Sequence, residues 1–233
     1  MKVFWLILII ILLFPLSKSH LCCQDPDIRS VYVKSGLDDD LPFRAFEMAM
    51  KGLSRINTIT NRQVITIIDY SKSSSAERFF VIDIVNNRLL YKTLVAHGRN
   101  SGETEARHFS NAPGSEESSL GFFITAETYN GKNGYSLSLD GLEPGINDNA
   151  RARAIVIHGA DYVSRSFIDK YGRIGRSWGC PALPDSLSKE IIDKISNGSC
   201  LFIYSDDPGY LKNSKILNDR QEQKQDKSAG KHE

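Results

Sequence analysis

Phe79-Phe80-Val81-Ile82-Asp83-Ile84-Val85, the pair Asn86-Asn87, and Leu89-Leu90-Tyr91-Lys92-Thr93-Leu94-Val95-Ala96 together form a hairpin signal. Two runs of β-branched and aromatic residues flank asparagines, which tolerate the positive φ that such turns require. Upstream, Val64-Ile65-Thr66-Ile67-Ile68-Asp69 and a Ser-rich turn supply one more strand, so the sheet is mainly antiparallel. Downstream strands are expected at Gly121 to Ala126, Ser136 to Leu139 and Ala154 to His158, with Cys200 to Tyr204 closing the sheet. The wholly apolar Ala154-Ile155-Val156-Ile157 reads as a central strand. Phe43, Phe46, Met50 and Leu53 recur at helical spacing from Pro42 to Ile56, and Ser186 to Ile195 is a second helix capped by Asp185 or Ser186. The fold class is therefore mainly β (β-rich α+β), a mixed or antiparallel β-sandwich or barrel-like domain with a few short helices. Between His97 and Ser119 the chain turns small and polar, the signature of a long loop, and loops of that length are usually functional or disordered.

The 233 residues divide by composition. Met1-Lys2 followed by the apolar run Val3 to Phe14 has the charged start and short greasy middle of a secretory signal peptide, assigned to residues 1–19 with cleavage after Ser19. Export to the periplasm or cell envelope follows, with attachment to the inner membrane if the signal stays uncleaved. Residues 20–40 are an irregular polar segment, 41–213 a single domain, and 214–233 a polar tail too poor in apolar residues to fold. The formal net charge is only +1 and the basic residues are interleaved with acidic ones, which argues against a nucleic-acid partner.

Of the four cysteines, Cys22 and Cys23 lie near the expected mature N-terminus, where Cys22 is a candidate for lipid attachment. Cys200 sits in an apolar run as a small buried hydrophobe. Cys180 is different. It lies in Gly175-Arg176-Ser177-Trp178-Gly179-Cys180-Pro181-Ala182-Leu183, while the apolar strand before it ends in His158-Gly159. A strand that ends in His-Gly puts an imidazole at the rim of the sheet, and a glycine-flanked cysteine approaches from a second loop. Nucleophilic acyl transfer needs these parts: a thiol, a base to take its proton, and free backbone N–H groups to hold an oxyanion. A free thiol has a pKa of about 8.5, so a paired imidazole matters near neutrality. Gly179 permits a tight turn, and the amides of Gly179 and Cys180 are candidate oxyanion donors. By spacing alone, a catalytic pair and a buried structural pair both stay open. A zinc site of His97, His158 and Cys180 lacks a short ligand-pair spacing, so neither a metal nor a cofactor is assigned.

The stretch from about Val95 to Leu183 resembles the murein L,D-transpeptidase catalytic-domain family, exported cysteine enzymes that remodel peptidoglycan. The resemblance is carried by His158-Gly159 followed by Arg176-Ser177-Trp178-Gly179-Cys180-Pro181. Val95-Ala96-His97-Gly98, Phe109-Ser110-Asn111, Ser118-Ser119-Leu120-Gly121 and Asn147-Asp148-Asn149-Ala150 support it. It implies that Cys180 attacks a peptidoglycan tetrapeptide stem, releasing D-alanine and forming a thioester. A neighbouring stem amine then gives a three-to-three cross-link, and water gives a trimmed stem, the L,D-carboxypeptidase alternative. His158 is implied as base, with the Gly159 carbonyl orienting its ring.

The commoner family motif reads Ser-His-Gly-Cys, and Trp178 occupies the place of that histidine here. Trp cannot act as a base. His97 is the candidate substitute, and a wall-binding module that has lost turnover is the competing reading. Arg176 could pair with a stem carboxylate, Ser177 could bond within its loop or touch substrate, and Trp178 is expected to pack at the cleft edge rather than stack on sugar. Asn111, Ser118 and Ser119 are candidates for lining the groove, with Tyr162 and Arg173 behind them.

Overall fold

The computed structural model describes residues 27–218. The signal-peptide reading, Cys22, Cys23 and residues 219–233 of the tail lie outside the described residues.

In chain order the elements are α1 (Ile28–Lys34), α2 (Phe43–Arg55), β1 (Asn61–Asp69), β2 (Phe79–Asp83), β3 (Arg88–Thr93), β4 (Gly121–Gly131), β5 (Gly134–Gly141), β6 (Val156–Ala160), α3 (Arg165–Tyr171), β7 (Ala182–Pro184), α4 (Asp185–Ile195), β8 (Ser199–Tyr204), α5 (Pro208–Asn213) and α6 (Lys215–Asn218). The strands form one mixed sheet in the order β3-β2-β1-β8-β4-β5-β6-β7. The β2–β3 hairpin turns at Asn87, whose φ of 52° is the positive value the asparagine pair was read to supply. Past the edge strands, Ala96 N–H donates to the Ala182 carbonyl at 2.9 Å, so the two edges meet and the sheet is a nearly closed barrel. The Gly98–Ser177 bridge extends that seam by one more pair.

Two strand placements differ from the sequence reading. β8 does not close the sheet at an edge but runs through its middle, parallel to β1 and antiparallel to β4. β6 is not central: it lies next to the edge strand β7, whose three residues are too few to register in a hydrophobic pattern. Its apolar character comes from burial among β5, β7 and α4.

The core lies between the sheet and α2 and α4. Phe46, Met50 and Leu53 of α2 are buried, and Phe122 stacks on Phe202 with centroids 4.3 Å apart. Each such side chain contributes about 1.5–3 kcal/mol of burial. Gly52 lets α2 sit directly on the Phe122 ring, because a Cβ there would collide with the ring atoms.

The segment read as irregular before residue 41 contains α1. Asp27 caps it by accepting from Arg29 N–H at 3.2 Å, and Val31 and Tyr32 bury against the core. The polar tail also begins later than its composition suggests. Ser214 is fully buried on Glu143, and α6 tucks Leu217 inward, so two apolar side chains in a polar run suffice to dock it. α4 starts after Pro184 with no side-chain cap, where Asp185 or Ser186 had been expected to serve.

Candidate active site

His158 and Cys180 line one open cleft of about 690 Å³, together with Lys132, Asn133, Arg153, Ala154, Asp161, Tyr162, Arg176, Ser177, Trp178 and Asp185. The fold brings them there through the pairing of β6 with β7. His158 is in register with Ala182, two residues beyond Cys180, so the cysteine loop runs into the sheet beside the imidazole.

The His158 ring is fixed by its own strand. Nδ1 lies 2.7 Å from the Gly159 carbonyl, which can only accept, so Nδ1 carries the hydrogen and Nε2 of the neutral ring keeps its lone pair. Burial lowers the imidazole pKa from its ordinary value, while the Gly159 contact and the Asp185 carboxylate oppose that shift. Burial pushes the Cys180 thiol up, against a backbone hydrogen bond from Val156 and the positive charge of Arg153. Both groups rest neutral near pH 7. The thiol donates to the Ala154 carbonyl at 3.6 Å rather than to His158.

The loop holding the sulfur is tightly tied. Gly179 has φ +118°, a conformation open to glycine alone at little cost. Ser177 Oγ donates to the Cys180 carbonyl at 2.6 Å and accepts from Gly179 N–H at 3.1 Å. The Gly179 amide is thus engaged, which corrects its reading as an oxyanion donor. Among the described residues the Cys180 amide has no hydrogen-bond acceptor and remains free for that task.

The other sequence candidates divide. Arg176 lines the cleft, and its Nη1 donates to the Arg99 and Gly102 carbonyls and to Glu103 at 2.9 Å, which ties it to the loop after His97. Arg173 joins it on Glu103 at 3.1 Å. Trp178 does not pack: it is 67% exposed at the cleft mouth, flanked by Arg99 and Lys132 at 5.7 and 5.8 Å from its ring centre. The reason is local, since the bonds of Ser177 and the left-handed Gly179 turn the side chain between them outward.

Asn111 and Ser119 do not line this cleft. Asn111 bonds Asp148 and Asn149, and Ser119 Oγ bridges the Ser110 carbonyl and Arg153. Ser118 is buried beneath the loop. His97 is fully buried on Arg78, both ring nitrogens occupied, so it substitutes neither for a motif histidine nor as a metal ligand.

Sequence reasoning missed Arg153 and Ala154. Arg153 braces the wall behind Cys180 through the Ser110 and Glu117 carbonyls at 2.7 Å each. Ala154 adopts φ 52°, which aims its carbonyl at the thiol, and nothing about an alanine announces that conformation. The carboxylates of Asp161 and Asp185 were also unmarked.

Fold and cleft together define a barrel-like β domain with a thiol and an imidazole beside its seam. A family model described as the L,D-transpeptidase catalytic domain matches residues 37–204, and the chain belongs to that family. Among solved structures it is similar to an L,D-transpeptidase from Mycobacterium smegmatis (13% identity, TM-score 0.39, covering 61% of this chain and 59% of that one). It is also similar to the helical cell shape determining protein Pgp2 from Campylobacter jejuni (13%, TM-score 0.43, 69% and 57%). A third is L,D-transpeptidase 1 from Mycobacterium tuberculosis (12%, TM-score 0.35, 61% and 62%). The chain spans about three fifths of the length of these structures. No curated protein matches it significantly.

Proposed function

We propose that this chain is an exported cysteine acyltransferase of the cell envelope acting on peptidoglycan stem peptides. Cys180 Sγ attacks the carbonyl that joins a diamino acid to the terminal D-alanine. His158 Nε2 takes the thiol proton and returns it to the leaving amine as the C–N bond breaks, so D-alanine departs and a thioester remains. A neighbouring stem amine resolves it to a three-to-three cross-link. The Cys180 amide holds the oxyanion, a contact whose loss elsewhere costs roughly 3 kcal/mol of transition-state stabilisation.

One observation carries the reading: thiol and imidazole line a single open cleft, with the ring held in the tautomer that leaves Nε2 free to accept. The neutral resting pair means that the proton moves as substrate arrives, not beforehand. For that the sulfur gives up Ala154 and rotates toward Nε2, the kind of tightening common between free and substrate-bound sites. Trp178 presents its exposed indole to the substrate at the mouth of the cleft. The tetrapeptide substrate lies outside the cytoplasmic membrane, so export through residues 1–19 belongs to the same proposal.

Incubation of the purified protein with disaccharide tetrapeptides, read by mass spectrometry, tests it. Dimers lacking one D-alanine are expected. Trimmed tripeptides alone would make water the acceptor and the protein an L,D-carboxypeptidase. Neither product, with no carbapenem adduct on Cys180, would leave a wall-binding module and end the enzymatic account.

A further inference from the structure

One cluster of buried polar groups that this chemistry does not use is tied to the cysteine loop. Arg78 is fully buried, and among the described residues no carboxylate comes within ion-pair distance of it. Its guanidinium is instead satisfied by neutral acceptors. Nε and Nη2 donate to the Val95 carbonyl at 3.2 and 3.0 Å, Nη1 donates to the Lys72 carbonyl at 2.8 Å, and Nη2 reaches His97 Nδ1 at 2.7 Å. The Tyr70 ring lies 4.8 Å below it, and the Tyr70 hydroxyl donates to the Ala96 carbonyl at 3.0 Å. A buried cation with no carboxylate in contact, Asp69 attracting it only from further off, is costly, and an apolar residue of the same volume would fill the space more cheaply. Stability alone does not account for an arginine here.

What the guanidinium holds is more specific. It can only donate, so His97 Nδ1 must accept, and Nε2 carries the hydrogen that goes to the Gly102 carbonyl at 3.2 Å. The side chain of His97 is thereby locked at both nitrogens. From its main chain the connection runs straight to the nucleophile. Ser177 N–H donates to the His97 carbonyl at 3.0 Å, and Arg99 N–H donates to the Ser177 carbonyl at 2.8 Å. Gly98 N–H donates to Ser118 Oγ at 3.0 Å, and that hydroxyl donates to the Gly179 carbonyl at 3.2 Å. Ser177 Oγ closes the path on the Cys180 carbonyl. The same residues flank the Ala96–Ala182 bridge and form the Gly98–Ser177 bridge, the two pairings at which the barrel closes.

We infer that Arg78 is a positioning residue for Cys180: through His97 and Gly98 it holds the Ser177–Cys180 loop in the register that presents the sulfur to His158. The inference rests on Cys180 being the nucleophile. A ladder of strand hydrogen bonds would fix the loop elsewhere, but at a seam made of two isolated bridges part of that task passes to side chains. The acylating geometry depends on the path, whereas simple access to the sulfur does not.

The experiment compares two reactions at Cys180 in the full chain: acylation by a carbapenem, which needs base and oxyanion site aligned, and alkylation by iodoacetamide, which needs a reachable sulfur able to ionise but no oxyanion site. Both are followed by mass spectrometry on protein shown to be folded by near-ultraviolet circular dichroism. In Arg78→Met the acylation rate is expected to fall about 10- to 100-fold while alkylation holds or rises, the cost of a small displacement from attack geometry. His97→Gln, which offers Arg78 an acceptor and Gly102 an N–H, should stay within about threefold of the parent, whereas His97→Ala should not. Where Arg78→Met does not fold, Ser118→Ala removes one strand of the path and is expected to lower acylation about threefold to tenfold. Folded variants whose two rates change in parallel, or do not change, overturn the positioning role. No adduct on the parent protein overturns the nucleophile reading itself and the inference with it.

Discussion

The chain carries the dipeptide His-Gly twice beside the barrel seam, as His97-Gly98 just past β3 and as His158-Gly159 within β6. Both histidines are buried and both are held neutral, yet their free valences differ. His97 accepts from Arg78 at Nδ1 and donates to Gly102 from Nε2, so nothing is left to react. His158 donates from Nδ1 to Gly159 and turns Nε2 to the cleft. A ring nitrogen left without a protein partner, rather than the residue type or its depth, separates the proposed general base from the structural histidine.

Substituting the two rings in the same way is the harshest test of that contrast. His158→Gln keeps a polar side chain but no base, and carbapenem acylation of Cys180 is expected to slow by about 10²- to 10⁴-fold. His97→Gln, which can keep both of its bonds, should lose far less. Equal losses, measured as adduct formation against time, would mean that the two sites do not differ in kind.

Stability against pH separates them next. Burial and the Arg78 charge hold His97 at a pKa of about 3, far below the usual 6.5. Between those values the unfolded chain takes up a proton that the folded chain refuses, so the contribution is complete above pH 6.5 and falls as pH drops toward 3. At pH 4 the deficit is about 3 kcal/mol. Urea unfolding at pH 7 and pH 4 should show this loss in the parent and a shallower one in His97→Gln. His158 is lowered as well, which adds a loss of the same sign over the acid side of its ordinary range.

The same contrast shows what the sequence could reveal. α2 and α4 were legible because their apolar residues recur at helical spacing, and the hairpin at Asn86-Asn87 and the β8 run because continuous β-rich stretches stand between turn residues. β7 and α3 were not, the first having three residues and the second no buried side chain. α1 was hidden by the acidic residues after it, although Asp27 caps it. Cys180 and His158 stood out through their flanking glycines. The role of His97 could not, since it depends on Arg78, nineteen positions away and brought near only by the β2–β3 hairpin. Ser119 and Asn111 share a polar loop with Ser118, but only the folded chain shows that all three brace the loop's own neighbours.

The glycines that follow the two histidines give the finest version of the comparison. A Cβ at Gly98 would crowd the Glu116 carbonyl and lie 2.9 Å from Ser118 N, main-chain atoms that cannot swing aside. Gly98→Ala is therefore expected to destabilise by about 2–3 kcal/mol in urea unfolding. A Cβ at Gly159 would meet Asp185 Oδ1 at 2.5 Å and Ser188 Oγ at 2.6 Å, the ends of side chains with room to turn. Gly159→Ala should cost about 1 kcal/mol or less. Its effect belongs to the chemistry instead. Asp185 favours the charged form of His158, so displacing that carboxylate weakens the attraction and lowers the imidazole pKa further. The acid limb of the acylation rate should then move to lower pH in Gly159→Ala and, without any steric change at the strand, in Asp185→Asn. If both variants keep the parent's acid limb, Asp185 does not act on the His158 ring.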